Sequence, residues 1–180
     1  MNAKPITSTL SVSEQIQPQD IAALAAAGFK SIICNRPDGE GADQPSFSEV
    51  EVAAQAAGLQ AAYLPIVSGK VDDADALAFG ALMDKLPKPI LAYCRSGTRS
   101  ATLWSLSEGG RGRPLPDIIS ATKAAGYDMA GVVRRIANGG RTPSDAVDAS
   151  HAVVIIGGGA AGISVAASLK ARKPDLDIAI

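Results

Sequence analysis

The segment Cys94-Arg-Ser-Gly-Thr-Arg99 places a nucleophile, a flexible loop and a guanidinium within six residues. A cysteine that ends an apolar strand and precedes a helix lies under the loop's N–H groups and at the positive end of the helix. Both features stabilise an anion and push a thiol toward thiolate, its nucleophilic form. Gly97 permits the positive φ that a loop curled around an oxyanion requires. Arg99 offers a planar, two-pronged donor to an oxyanion held against the sulfur. Cys94 and Arg99 are therefore the candidate catalytic pair, and Arg95, Ser96, Gly97, Thr98 and Ser100 the candidate anion-binding loop. A lone cysteine at a strand end more often serves as a small buried hydrophobe. The strand, loop and helix around this one make the stronger case for covalent chemistry.

Those side chains need a strand before the loop and a helix after it. Ile90 to Tyr93 is an apolar run of the kind found in buried strands. A helix is expected from around Arg99 to the breaker-rich turn Glu108-Gly-Gly-Arg-Gly-Arg-Pro. Upstream, the pattern predicts an extended lead-in from Leu10, a helix over Ile21 to Ala27 capped by Asp20, and a strand over Phe29 to Cys34. A helix from Ser46 or Phe47 to Ala57, a strand from Ala61 to Ile66 and a helix from Asp72 or Asp73 through Lys85 follow. Two short helices, Asp117 to Ala125 and Met129 to Ala137, come after the loop helix. This alternation implies a largely parallel sheet flanked by helices, with the reactive loop at a strand's carboxyl end, where open α/β sheets bind ligands. Asp38 and Glu40 read as solvated turn residues in a Pro/Gly loop, and Arg111 and Arg113 as solvated loop arginines.

The bulk properties narrow the class. A chain of 180 residues with 47% apolar content holds one full domain and a little more. A net charge of −1 gives no electrostatic case for nucleic acid or an anionic membrane. Two cysteines form no CxxC pair and no disulfide framework, and the single histidine, His151, has no ligand cluster around it, so no metal site is expected. With no signal-like N-terminus and no apolar run of membrane-spanning length, a cytoplasmic location is expected.

The end of the chain carries a second signature. Residues 1–140 form the expected first domain, and 141–151 are polar and read as a linker. Residues 152–180 read as strand, Gly157-Gly-Gly159-Ala-Ala-Gly162, helix and strand, the context in which GxGxxG binds a dinucleotide. Gly157 allows the tight turn, Gly159 admits the pyrophosphate and Gly162 lets helix pack on strand. The acidic residue that holds ribose belongs after the second strand, where this sequence stops. A single βαβ unit does not enclose a dinucleotide, so no cofactor is expected for residues 1–140.

The Cys94 loop is similar to those of cysteine-dependent phosphatases and rhodaneses. More closely, the chain from about Ile6 to Gly140 resembles the phosphatase-like, proposed sulfurtransferase domain of beta-lactamase-hydrolase-like proteins. The landmarks are Ser31 to Glu40, Tyr63-Leu-Pro-Ile66, and Leu91 to Ser100 with Leu103-Trp104. The resemblance implies a dual-specificity-phosphatase-like fold. It also implies a possible resolving role for Cys34, because some phosphatases of this class keep a second cysteine near the nucleophile; core packing is the simpler assignment. Residues 152–180 resemble the opening of flavin-dependent reductases of the sulfide:quinone type. That likeness makes this chain the N-terminal part of an expected fusion whose FAD belongs to the longer parent.

Three features separate sulfur from phosphate chemistry. Tyrosine and dual-specificity phosphatases have five residues between cysteine and arginine, and this loop has four. The tighter ring, with Arg95 directly after Cys94, resembles rhodaneses, while Ser100 matches the phosphatase hydroxyl. The phosphatase general acid is expected soon after Ile66, yet Val67-Ser-Gly-Lys-Val71 contains none before Asp72 and Asp73. Losing that help costs about 10²–10⁴ in rate for a poor leaving group. The resembled reductase also suggests a sulfur-handling partner. The leading expectation is therefore a sulfurtransferase carrying a persulfide on Cys94, for a small anionic sulfur substrate. The alternatives are a phosphatase working through phosphocysteine and a non-enzymatic anion-binding domain.

Overall fold

The computed structural model describes residues 2–137 and, beyond them, 153–154, 165, 168–169, 171–173, 175 and 178–179. The chain divides into two compact units, residues 1–141 and 142–180. In the first, strands β1 (Lys4–Pro5), β2 (Leu10–Ser13), β3 (Ser31–Cys34), β4 (Gln60–Tyr63) and β5 (Ile90–Tyr93) form one sheet in the order β1-β2-β5-β3-β4. All neighbours pair in parallel except β1, an antiparallel edge strand on β2 that the sequence pattern does not reveal. The fold is thus the expected α/β architecture, a mostly parallel sheet with helices on its faces.

Alternation along the strands sorts side chains to two cores. Ile33, Ile90 and Ala92 face one side, where α3 (Asp73–Lys85), α4 (Thr98–Gly110), α5 (Leu115–Ala124) and α6 (Ala130–Ala137) cover them through Phe79, Leu103, Trp104, Ile118 and Val133. Ile32, Cys34, Leu91 and Tyr93 face the other, under α1 (Ile21–Ala26) and α2 (Phe47–Ala56). Local signals set the helix starts. Ser46 and Asp72 each form a reciprocal capping box, with Glu49 and Asp75 respectively. The loop helix runs further than expected, because Gly109 and Gly110 continue it rather than end it. A Cβ at Gly109 would strike Ile136, so the missing side chain is what lets α6 pack against α4.

The second unit contributes a parallel pair, β6 (Val153–Val154) and β7 (Ile178–Ala179). The expected linker, the turn glycines Gly157, Gly159 and Gly162, and His151 lie outside the described residues. No helix among the described residues is long and apolar enough to cross a membrane.

Candidate active site

Parallel pairing brings the carboxyl ends of β2, β5, β3 and β4 to one edge, so four loops converge there. The Cys94 loop leaves β5 between the β2 and β3 ends and enters α4 through Gly97, whose φ of 86° is left-handed. Any side chain at Gly97 would be strained by that φ, and its Cβ would also collide with the Tyr127 hydroxyl and approach the Ser13 carbonyl to 3.2 Å. The loop therefore curls back as its glycine predicts. The Gly97 N–H points at Cys94 Sγ, 3.1 Å away, supplying the backbone donor expected beneath the sulfur.

Tyr127, from the turn after α5, holds the outer side of this loop by donating its hydroxyl to the Ser96 carbonyl at 3.2 Å. Burial, with the Cys94 sulfur nearby, pushes the phenol pKa up and keeps that proton on the oxygen. Ser96 and Thr98 are exposed and share a hydroxyl contact of 3.1 Å, and Arg95 is exposed at the rim. Ser100 points the other way: fully buried, it donates to Asn35 Oδ1 at 2.8 Å, while Asn35 Nδ2 donates to the Leu64 carbonyl at 3.1 Å. Ser100 thus ties α4 to the ends of β3 and β4 and is a scaffold residue in this structure rather than part of the open loop.

Arg99 is buried and held from two sides. One terminal nitrogen donates to the Ile66 carbonyl at 2.7 Å, and the other to Glu40 Oε2 at 2.7 Å. The same Glu40 oxygen accepts from Arg36 Nε at 2.9 Å, and Arg36 in turn reaches Gln15 Oε1 at 2.9 Å. Glu40 is exposed, as its loop suggests, yet it also forms a buttress between two arginines. The sequence does carry a signal, Arg36 and Glu40 in one short turn, but nothing local pairs Glu40 with Arg99. The Arg99 hydrogen bond, helped by Arg36, holds the Glu40 carboxyl below the usual carboxylate range. Burial opposes the Arg99 charge, yet Glu40 and the Cys94 sulfur outweigh it and keep the guanidinium firmly protonated.

A cleft of about 590 Å³ opens beside the loop, lined by Ser68, Gly69 and Val71 after β4, by Arg95, Ser96, Thr98, Arg99 and Thr102, and by Arg135 of α6. No lining residue is acidic. Asp72 is occupied as the cap of α3, accepting from Asp75 N at 2.8 Å, and Asp73 pairs with Arg135 at 2.8 Å. Arg111 and Arg113 do not reach the cleft; they pair with Asp84 and Glu108 on another surface. Among the described residues no group of three metal-ligating side chains stands together.

Cys34 is buried beside Tyr93, its partner in register across β3 and β5. Its thiol donates to the Arg36 carbonyl at 3.3 Å, and burial pushes its pKa up, so it is a neutral thiol at neutral pH. Cys94 follows Tyr93 by one residue, just past the end of β5, and its sulfur is near enough to add to the upward push on the Cys34 thiol. Both cysteines are free thiols. This arrangement favours a packing role for Cys34.

Comparison with known proteins places this geometry. A beta-lactamase hydrolase-like protein of Agrobacterium fabrum is 37% identical over 135 residues, covering 74% of this chain and 31% of the relative. One from Xylella fastidiosa is 34% identical over 130 residues, covering 72% and 30%. The chain thus spans about three tenths of the length of the curated relatives it matches. Among solved structures, a candidate phosphatase of Neisseria meningitidis superposes with a TM-score of 0.70 at 32% identity, covering 77% of this chain and 98% of that one. Tk-PTP in its active form superposes with a TM-score of 0.61 at 17% identity, covering 77% and 95%, a likeness of fold. Residues 2–111 match the family of the phosphatase-like domain of beta-lactamase hydrolase-like proteins, and the chain belongs to that family.

Proposed function

We propose that residues 2–137 form a cysteine-dependent phosphatase for small phosphoesters with acidic leaving groups. The observation that carries this reading is the Cys94 loop itself. The sulfur is buried under the Gly97 N–H, in a loop whose Arg95, Ser96, Thr98 and Arg99 line a cleft with three guanidiniums and no carboxylate among its lining residues. The family match and the Neisseria relative support phosphate over the sulfur chemistry that the four-residue spacing suggests.

In the proposed reaction the Cys94 thiolate attacks phosphorus, the P–O ester bond breaks, and the leaving oxygen departs with the bonding pair. Water then attacks phosphocysteine, releasing orthophosphate and regenerating the thiolate. Arg99 and the loop N–H groups match the equatorial oxygens. Glu40 is an unsuitable proton donor because its two arginines hold it ionised. The leaving group must therefore depart as a stable anion, which restricts the substrate to aryl, enol or anhydride phosphates rather than simple alkyl esters.

The same lack of a proton donor, together with the four-residue spacing, favours a second reading: attack of Cys94 on a sulfane sulfur, with sulfite or a thiol leaving and a persulfide remaining. Intact-mass analysis after a brief exposure to an aryl phosphate, and separately to thiosulfate, decides between them. A phosphate-mass adduct on Cys94 supports the phosphatase and a single-sulfur adduct the transferase. With neither adduct, the domain binds anions without turning them over.

A further inference from the structure

Arg135 stands outside the catalytic loop and outside the residues that carry the family match, yet it lines the same cleft as Arg95 and Arg99. Its position is built rather than incidental. One terminal nitrogen donates to the Val71 carbonyl at 2.8 Å, tying α6 to the segment after β4. The other donates to Asp73 Oδ1 at 2.8 Å. The Arg135 side chain is only 22% exposed, whereas Asp73 is 73% exposed, so solvent screens this pair. Arg135 Nε is buried without a hydrogen-bond partner among the described residues. A buried N–H left unpaired is costly and uncommon in a folded protein. The terminal nitrogens that line the cleft are thus held only by a neutral carbonyl and a solvent-screened carboxylate, which leaves the Arg135 charge incompletely offset.

The size of the cleft points the same way. About 590 Å³ falls within the range of small-molecule sites and far exceeds what one oxyanion at the Cys94 loop needs. Its lining carries three guanidiniums, Arg95 and Arg99 of the loop and Arg135 of α6. The rest of it is hydroxyls, a glycine and a valine: Ser68, Gly69, Val71, Ser96, Thr98 and Thr102.

We propose that Arg135 is a second anion subsite of the Cys94 cleft, so that the substrate is a small molecule with two anionic groups, one at the reactive loop and one at α6. This rests on the cleft being the substrate site, but not on which atom Cys94 attacks. The second group is recognised by charge and planar hydrogen bonding, which a phosphate, sulfonate or carboxylate satisfies alike. The exposed Asp73 carboxylate occupies part of Arg135 until the ligand's anion replaces it.

The test uses equilibrium binding, so it succeeds or fails independently of phosphatase turnover. Calorimetric titration with methylphosphonate and with methylenediphosphonate, at fixed pH and ionic strength, gives an affinity ratio for one anionic group against two. The wild-type chain is expected to prefer the diphosphonate at least tenfold. Arg135→Gln should reduce that ratio to within about threefold of unity. Arg134→Gln, the same charge change on the exposed face of α6, should leave it intact. Asp73→Asn frees Arg135 and should tighten diphosphonate binding severalfold without a matching gain for methylphosphonate. Equal affinity for the two ligands in the wild-type chain, or equal loss in the Arg134 and Arg135 variants, overturns the subsite, as does failure of both ligands to bind. Loss of phosphocysteine formation with the ratio preserved would overturn the phosphatase reading alone.

Discussion

Glu40 and Arg99, 59 positions apart in sequence, meet at 2.7 Å beside the Cys94 loop. The pair sets the direction of the guanidinium, since the other Arg99 contact, to the Ile66 carbonyl, anchors only one of its terminal nitrogens. It also sets an acid limit on the fold. The Glu40 pKa is depressed, so its stabilising contribution is fully present above the unfolded carboxylate value and is lost as pH falls through the lower folded value. Glu40→Gln should therefore be less stable than wild type at neutral pH, by about 1–2 kcal/mol given its partial exposure. That gap should begin to narrow below about pH 4.3 and close as pH falls through the lower folded value. Chemical denaturation from pH 7 to pH 3 measures it, and a constant gap across the range would remove the ion pair from the account.

Cys94→Ser should abolish turnover and adduct formation while leaving the circular dichroism spectrum and cooperative unfolding unchanged. The sulfur is buried, and a hydroxyl is close to isosteric with it, but a hydroxyl is not ionised in such a nest. Retained activity would mean that another group attacks.

Arg99→Lys is expected to lower kcat/KM about 10²–10³-fold, because an ammonium cannot span Ile66, Glu40 and an oxyanion at once. Steady-state kinetics with an aryl phosphate reads this directly. A loss below threefold would show that the oxyanion sits elsewhere.

Gly97→Ala combines two faults, a left-handed φ and a Cβ that meets the Tyr127 hydroxyl. A stability loss of about 1–3 kcal/mol is expected. Tyr127→Phe removes the hydroxyl and its bond to Ser96, at about 1 kcal/mol. The double variant should lose less than the sum, since the second change relieves part of the first's clash. Strict additivity would show that only the φ matters.

Peroxide treatment should yield no disulfide between Cys34 and Cys94. The Cys34 thiol is neutral, buried and bonded to the Arg36 carbonyl, on the sheet face shared with Tyr93. Cys34→Ser should leave the rate of Cys94 oxidation unchanged. A mass loss of two hydrogens with both thiols blocked to alkylation would restore the resolving role.

What the amino-acid sequence determined by itself is whatever depends on neighbours along the chain. The Ile90 to Tyr93 run, the glycine that turns the loop, the Ser46 and Asp72 caps and the parallel alternation are all short-range patterns of hydrophobicity and backbone freedom, and they appear where expected. Where a stop signal was opposed by packing, packing prevailed, as at Gly109 beneath Ile136. The tertiary structure decided which side chains complete the site. Glu40 reaches Arg99, Tyr127 reaches Ser96 31 residues away, and Arg135 reaches Val71 across 64. Sheet order and helix packing impose those pairings. A carboxylate in a Pro/Gly turn and an arginine on the last helix of the first unit carry no local mark of the partner that the fold brings to them.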